Sequence, residues 1–265
     1  MVDGQDYIGK WAVILGGSSG LGLATAQKLA KEGMHICIIH RTRRSSLVPF
    51  QEAIKEMKEG TNSELIDQNI DALKPEKRAT FIEEFKNLIG DNSVKTLVHS
   101  IARGNLKPMY SEDQATLSNE DFKLTLDAMA VSLYDWVSAF AKAGLFSVDA
   151  RVIAFTSEGS HKSWVQYGAV GAAKAVLENI VRGIALEFAP LRIKANCIQA
   201  GVTDTESLRM IPGSEFMKEK SIERNPYGRL TTPTDVANAV YLLCRDEASW
   251  INGSVIPVDG GEHIR

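Results

Sequence analysis

The chain has 265 residues and a formal net charge of -3, with 44% hydrophobic and 24% charged residues. This balance is typical of a folded globular protein, and it offers no basic surface for nucleic acid or an anionic membrane. No apolar run reaches the roughly 18 residues that predict a membrane span. We therefore predict one domain over residues 1–265, with neither nucleic acid nor a membrane as partner.

Short apolar runs alternate with amphipathic stretches along the chain. Seven runs are predicted to be strands: Trp11–Leu15, His35–His40, Ser63–Ile70, Val94–His99, Arg151–Phe155, Ile193–Ile198 and Ser254–Val258. The predicted helices are Leu21–Lys31, Pro49–Lys58, Pro75–Leu88, a long stretch from the Ser118 cap to about Leu145, Tyr167–Phe188 and Pro233–Arg245. This alternation predicts an α/β fold, a single Rossmann-type doubly wound parallel sheet with helices on both faces.

The stretch from Val202 to Thr232 is the least regular part of the second half. Long connections in a compact domain are usually functional, and this one follows a strand whose carboxyl end lies at the ligand-binding edge of such a sheet. We therefore predict a substrate-covering segment around residues 203–230.

The cysteines and the first residues of the chain indicate the cellular compartment in which the protein is expected. Cys37, Cys197 and Cys244 each lie in an apolar stretch, and no His, Cys and carboxylate set has metal-ligand spacing. The start, Met1–Asp6, lacks the basic-then-apolar order of an export signal. We expect buried thiols, no metal and a cytoplasmic location.

A glycine-rich turn follows the first predicted strand and opens the first helix. Glycines permit a tight turn and close approach to a pyrophosphate, and the helix N-terminus offers free N–H groups. An ordinary strand-to-helix turn also uses glycine, but the context favours a nucleotide site. The predicted contacts are Gly16, Ser18, Ser19, Gly20, Leu21 and Gly22.

The end of the second strand indicates which nucleotide binds. NAD-preferring sites commonly have an acidic residue there, whereas this chain has Arg41, Arg43 and Arg44 and no carboxylate between them. Guanidinium groups match a phosphate with charge-assisted hydrogen bonds. The alternative is a solvated basic turn. We predict that the three arginines bind the 2′-phosphate of NADPH.

Four motifs occur in order along the chain: Gly16-x3-Gly20-x-Gly22, the Tyr167/Lys174 pair, Asn196 with Ala200-Gly201, and Val258-Asp259-Gly260-Gly261. Together they resemble the short-chain dehydrogenase/reductase superfamily. The usual Tyr-x3-Lys pair is broken, because Val170 stands four residues before Lys174. Tyr167, seven residues before the lysine, and His99-Ser100-Ile101-Ala102 are instead similar to the enoyl-acyl-carrier-protein reductase branch.

The spacing of Tyr167 and Lys174 has a chemical interpretation. Moving a helical tyrosine back by three residues slides its hydroxyl along the helix by roughly 4.5 Å. A ketone reductase needs an acid at the oxygen of the carbon that receives hydride, whereas conjugate reduction develops charge on an oxygen further away. If Tyr167 is helical, its hydroxyl suits the second reaction. We predict that it stabilises an enolate oxygen while Lys174 holds the nicotinamide ribose.

The resemblance implies further site residues. Ser157 matches the superfamily's catalytic serine, and Met129 stands where many ketone reductases have a proton-relaying asparagine, a role that a thioether cannot fill. Cofactor contacts implied in the same way are Asn69, Ile70, Ser100, Ile101, Ala102, Gly201, Val202, Thr203 and Thr205. We assign Gly104 and Trp164 to the substrate site, although Trp164 could equally be a packing residue. We expect His99 to orient backbone and His40 to be structural.

The sequence thus predicts an NADPH-dependent enoyl-acyl-carrier-protein reductase of fatty acid biosynthesis, with an acyl thioester, on acyl carrier protein, as substrate. One alternative is a 3-oxoacyl thioester reductase of the same superfamily, and another is a non-enzymatic NADPH-binding sensor. The resemblance and the two long apolar-rich helices, near 119–145 and 167–188, predict a homotetramer.

Overall fold

The computed structural model describes residues 7–265, so the prediction about Met1–Asp6 lies outside the described residues. Seven strands form one parallel sheet in the order β3-β2-β1-β4-β5-β6-β7. The strands are β1 (Trp11–Leu15), β2 (His35–His40), β3 (Leu65–Asn69), β4 (Val94–His99), β5 (Phe146–Thr156), β6 (Lys194–Ala200) and β7 (Val255–Val258). The predicted doubly wound parallel sheet is confirmed.

Nine helices of the described residues connect these strands. They are α1 (Gly20–Lys31), α2 (Arg44–Gly60), α3 (Pro75–Ile89), α4 (Asn119–Leu126), α5 (Ser132–Lys142), α6 (Gly168–Glu187), α7 (Glu206–Arg209), α8 (Ser214–Arg224) and α9 (Pro233–Cys244). Short 3-10 turns lie beside several of them. Within residues 7–265, no helix combines the length and apolar character needed to cross a membrane.

The core lies on both faces of the sheet because the central strands bury every side chain. In β1, Trp11, Val13 and Leu15 pack on the face covered by α3, α5 and α6, whereas Ala12 and Ile14 pack on the face covered by α1, α2 and α9. Strands buried on both sides favour continuous apolar runs, which is the pattern of β1 and of the middle of β2, whereas β4 also buries Lys95 and Thr96.

The second helix begins earlier than predicted. We took Pro49 as its start, but α2 begins at Arg44 and carries the proline inside. A proline lacks the N–H that would bond the carbonyl four residues back, a loss that the first turns of a helix tolerate better than its middle. Arg43 and Arg44 therefore lie at a helix start, exposed to solvent, rather than in an open turn.

The predicted helix from residue 119 to 145 is three segments. Ser118 caps α4 with the predicted capping box to Asp121, but a π-helical turn, Asp127–Val131, separates α4 from α5. One extra residue per turn shifts the buried face without interrupting the apolar pattern, so periodicity could not reveal it. The strand that follows, β5, starts at Phe146 rather than Arg151, with a bulge around Asp149, whose φ is 62°.

Residues 203–230 differ from the irregular stretch that we predicted. They contain α7 and α8, and Thr203 forms an isolated parallel bridge with Thr231 at the base of the segment. Because α8 contains few apolar residues, its sequence lacks the apolar periodicity that predicts a helix. The segment starts directly after β6, at the carboxyl edge of the sheet.

Candidate active site

A cavity of about 340 Å³ opens at the carboxyl ends of β1 and β4, where the strand order reverses. This edge is the ligand-binding position of doubly wound sheets, and the volume is that of a small-molecule site. Predicted residues that line it are Gly16, Ser18, Ser19, Gly20, Leu21, Arg41, Ile70, Ser100, Ile101, Ala102, Lys174 and Thr205.

The glycine turn is shaped by close backbone approaches. Gly16 has a φ of 82°, and a Cβ there would lie 2.6 Å from the carbonyl oxygen of Ser100. A Cβ on Gly22 would lie 2.4 Å from the carbonyl oxygen of Gly16. Ser19 occupies the N-cap of α1 without a side-chain cap bond, so the first N–H groups of the helix stay free for a ligand. The turn therefore fits the pyrophosphate of a dinucleotide.

The three predicted arginines are not equivalent. Arg41 lines the cavity, whereas Arg43 and Arg44, at the start of α2, are exposed and do not line it. Asn69 is also exposed outside the cavity wall, where its amide donates to the carbonyl oxygen of Thr42 at 3.3 Å. Of these residues, only Arg41 lines the cavity, at the end formed by β2 and β3, where the predicted cofactor would place its adenosine.

Among the cavity-lining residues that we had not assigned to the site are Asp71, Arg103 and His40. Asp71 holds two guanidinium groups, with Arg41 Nη1 at 3.3 Å and Arg103 Nη1 at 3.7 Å. His40, which we expected to be structural, is buried with one ring nitrogen 2.7 Å from the Thr42 hydroxyl, and it lines the cavity as well. Each of these residues follows or ends a strand at the carboxyl edge of the sheet. That position in the sequence is the feature that could have identified them as site residues.

At the opposite end, Lys174 is buried and its ammonium donates to the carbonyl oxygen of Phe155 at 2.6 Å. Burial lowers the pKa of Lys174 to about 8, against the opposing effect of nearby anionic groups. This places a cation with two further donor hydrogens against the cavity, which suits ribose hydroxyls.

Tyr167 and Ser157 form a pair, and Tyr167 stands at the start of the helix that carries Lys174. The Ser157 Oγ lies 3.4 Å from the Tyr167 Oη. Burial raises the pKa of Tyr167, against the effect of the Ser157 hydrogen bond, so the phenol stays protonated and can donate. Neither side chain lines the 340 Å³ cavity, which ends at Thr156 and Lys174.

The backbone of Tyr167 corrects our geometric assumption. The residue is the N-cap of α6 rather than its first helical residue, with φ and ψ of -107° and 4°, and its carbonyl accepts the first helical bond from Gly171 at 2.7 Å. Its displacement from Lys174 is therefore not a pure helical rise. The ring is fixed by packing: a Cβ on Gly159 would lie 2.4 Å from it, and the Trp164 ring meets it edge-on at 5.5 Å.

The two residues predicted for the substrate site lie in packed surroundings. Trp164 packs on Tyr167, which is the second of its two predicted roles. A Cβ on Gly104 would lie 2.8 Å from both Thr125 and Val170 and 3.1 Å from the Met129 sulfur, so this glycine lets the loop after β4 approach α4 and α6. Met129 itself is buried in the π-helical turn.

A buried histidine lies beneath the catalytic end. His99 Nε2 is 2.9 Å from the Ser132 hydroxyl, which donates to the carbonyl oxygen of Ala128, whereas His99 Nδ1 has no partner among the described residues. Burial and then the charge of Lys174 lower the pKa of His99 to about 3. The histidine is therefore neutral at physiological pH, and it contacts a side chain rather than the backbone that we expected.

The remaining predicted contacts follow β6. A Cβ on Gly201 would lie 2.4 Å from the Thr231 hydroxyl, so the chain passes tightly there. The N–H of Val202 donates to Glu262 at 3.3 Å, and the Thr203 hydroxyl donates to the carbonyl oxygen of Gly201. Thr205 caps α7 and, among these four, is the residue that lines the cavity.

Comparisons with known proteins agree with this architecture. Residues 16–263 match the family described as enoyl-(acyl carrier protein) reductase. The chain is 28% identical over 263 residues to the NADH enoyl-acyl-carrier-protein reductase of Aquifex aeolicus, covering 97% of this chain and 92% of that protein. It is also 28% identical to the peroxisomal 2,4-dienoyl-CoA reductase of Mus musculus, over 95% of this chain and 83% of that protein.

The crystal structure of the Aquifex aeolicus VF5 enzyme superposes with a TM-score of 0.82 at 25% identity, covering 97% of this chain and 98% of that one. The glycine cradle and the buried lysine lie at the carboxyl edge of this same fold. The chain is therefore an oxidoreductase of the short-chain dehydrogenase/reductase superfamily, and it belongs to the enoyl-(acyl carrier protein) reductase family.

Proposed function

We propose that the chain is an NADPH-dependent reductase of the carbon–carbon double bond of 2-enoyl thioesters. The observation that carries the proposal is the catalytic end itself. Tyr167 is held at the N-cap of α6 against Ser157, while the buried Met129 stands where a ketone reductase has a relaying asparagine. The site thus offers a hydrogen-bond donor for a developing oxyanion and no relay at that position to supply a proton.

In this proposal each residue has a definite task. The chemistry that the cofactor would supply when bound is hydride donation to the β-carbon of the substrate. Tyr167 donates a hydrogen bond to the thioester carbonyl oxygen, where negative charge develops, and Ser157 orients the phenol from 3.4 Å. Lys174, fixed by Phe155, adds positive charge and holds the ribose. The proton that completes the reduction reaches the α-carbon from solvent.

The preference for NADPH rests on Arg41. It lines the adenosine end, and no carboxylate lies among residues 41–44 at the end of β2. Its ion pair with Asp71 at 3.3 Å is half-exposed and therefore weak, so a 2′-phosphate can displace the carboxylate. Because the Aquifex relative is named for NADH, this choice depends on the arginine and not on family membership.

A comparison of two substrates tests the reaction. Purified protein is given NADPH with crotonyl and with acetoacetyl thioesters, and the oxidation of NADPH is followed by its absorbance. We expect the crotonyl thioester to have the higher kcat/KM. Faster turnover of the acetoacetyl thioester would replace the proposal with 3-oxoacyl reduction, and turnover of neither, with NADPH bound, would favour a sensor.

The setting of the reaction is part of the proposal. We place it in fatty acid biosynthesis in the cytoplasm, with the acyl group on acyl carrier protein, and we propose a homotetramer. Tyr134 on α5 and Leu186 on α6 are apolar side chains left 50% and 77% exposed, as a further protein surface would cover. Equal turnover of coenzyme A and carrier-protein thioesters would count against the carrier, and sedimentation as a monomer would exclude the tetramer.

A further inference from the structure

Arg224 ties the segment over residues 203–230 to the loop that precedes Tyr167, next to Asn225, whose amide donates to the carbonyl oxygen of Asp259 at 2.8 Å. Arg224 is the last residue of α8, and a single nitrogen of its guanidinium, Nη2, bonds two carboxylates. It lies 3.0 Å from Glu158 Oε2 and 2.6 Å from Glu262 Oε1. We call Arg224, Glu158 and Glu262 the arginine clasp.

Both carboxylates are buried, which makes the clasp strong. Glu262 is 2% exposed, and Glu158 is 8% exposed and also accepts from the Lys162 ammonium at 2.8 Å, so the loss of Arg224 would affect Glu262 more. Charge-assisted bonds between desolvated groups are worth far more than surface ion pairs, and removing one partner leaves a buried charge uncompensated. The clasp therefore differs from the ion pair of Arg209 with Asp204, which is solvent-exposed and lies wholly within the segment.

Each carboxylate adjoins or contacts a part of the chain that carries predicted site residues. Glu158 lies between Ser157, which contacts the Tyr167 hydroxyl, and Gly159, which packs against the Tyr167 ring. Glu262 accepts the N–H of Val202 at 3.3 Å, where the chain leaves β6 toward the cavity. The clasp thus joins three parts: the end of α8, the loop that precedes Tyr167, and the C-terminal turn that accepts from the loop after β6.

We infer that Arg224 is a positioning residue that holds the segment over residues 203–230 against the Tyr167 loop and so sets the affinity for the acyl substrate. The inference rests on the proposed function for its substrate, but the position of the segment is independent of it. Thr205 and Ser207 at the other end of the segment line the cavity, so its α8 end must be fixed for the segment to cover a substrate.

The test compares Arg224→Gln with a matched control, Arg209→Gln, which removes a guanidinium from the same segment without releasing the segment. The first readout is chymotryptic cleavage after Phe216, a side chain on α8 that is 65% exposed. The second is the KM and kcat for the crotonyl thioester at saturating NADPH. We expect Arg224→Gln to raise both the cleavage rate and the KM about tenfold, with kcat within about threefold, because about 1.4 kcal/mol corresponds to a factor of ten.

The control is expected to stay within about twofold of the original chain for both readouts. Wild-type cleavage and KM in Arg224→Gln would overturn the inference. If that variant fails to fold, Arg224→Gln combined with Glu158→Gln and Glu262→Gln removes the unpaired charges while keeping the side-chain sizes. Slow cleavage in this folded triple variant would equally overturn it.

The two proposals fail in different ways. If crotonyl thioester is not reduced, the proposed function is wrong, and the cleavage after Phe216 still decides the role of Arg224 without any substrate. If crotonyl thioester is reduced but Arg224→Gln and Arg209→Gln behave alike, the arginine clasp is merely structural and the proposed function stands.

Discussion

The two ends of the candidate active site are built in different ways. The phosphate end is a single continuous turn, Gly16–Gly22, whose shape comes from backbone atoms too close together to admit a Cβ. The catalytic end consists of Lys174, buried in the second turn of α6, and of a hydrogen-bonded pair outside the cavity wall, Ser157 directly after β5 and Tyr167 at the start of α6. The first arrangement holds a ligand and the second places charges, so variants at the two ends should lose different functions.

The largest expected effect is at the catalytic end. Tyr167→Phe removes the hydroxyl proposed to stabilise the oxyanion, while the ring can keep its packing on Gly159 and Trp164. Because one such donor is worth about 10²–10³ in rate, we expect kcat for the crotonyl thioester to fall by that factor. The Kd for NADPH, measured by fluorescence titration, should be unchanged.

Tyr241→Phe is the matched control. It removes a tyrosine hydroxyl that is hydrogen-bonded to Arg245 on α9, away from the cavity. Its kcat should equal that of the original chain. A Tyr167→Phe variant with undiminished kcat would show that the hydroxyl is not the donor, and the contrast between the two ends would then disappear.

A smaller effect, on cofactor binding rather than on kcat, is expected at the phosphate end. In Gly22→Ala the new Cβ would lie 2.4 Å from the Gly16 carbonyl oxygen, so the turn must shift away from its phosphate-binding shape. Overpacking of this kind costs about 1–3 kcal/mol, and we expect the Kd for NADPH to rise about 10- to 100-fold. At saturating NADPH, kcat should change little.

The control for this variant is Gly60→Ala, since Gly60 ends α2 and a Cβ there meets nothing within 4 Å. Its Kd for NADPH should be that of the original chain. An unchanged Kd in Gly22→Ala would mean that the turn does not bind the cofactor, and a loss of kcat at saturation would mean that the two ends are not separable.

The same contrast explains what the sequence could predict. The sheet, the capping box at Ser118 and the glycine turn depend on local patterns, and all three appear as expected. The π-helical turn does not change the apolar pattern, and α6 starts after Tyr167 without a side-chain cap that would mark its first residue in the sequence. The clasp of Arg224 joins residues 66 and 38 positions away, a distance at which no local pattern operates.

A third experiment asks whether side chains also matter at the phosphate end. Arg41 lines the cavity and Arg43 does not. A charge-assisted hydrogen bond contributes roughly 1.5–3 kcal/mol, so Arg41→Ser should lower the ratio of kcat/KM for NADPH over NADH by about tenfold or more. Arg43→Ser should leave this ratio within about twofold. Equal losses in both variants would restore the prediction that all the arginines share the phosphate.

The smallest effect is on stability and arises from the buried histidine below the catalytic end. Burial lowers the pKa of His99 to about 3 in the folded protein from an ordinary value of 6.5. Between these values the unfolded chain binds a proton that the folded chain does not, so the free energy of unfolding falls as pH falls. The slope is at most about 1.4 kcal/mol per pH unit below pH 6.5.

Urea unfolding at pH 7, 6 and 5, values chosen about the ordinary histidine pKa, measures this slope. His99→Gln keeps a donor toward Ser132 but cannot be protonated, so its free energy of unfolding should fall less steeply below pH 6.5 than that of the original chain. His161→Gln, which removes an exposed histidine, should preserve the original slope. Equal pH slopes of the free energy of unfolding in all three proteins would mean that His99 can bind a proton, or a further hydrogen-bond partner, in the folded protein. The catalytic end would then be no more sensitive to acid than the phosphate end, whose turn Gly16–Gly22 contains no titratable side chain.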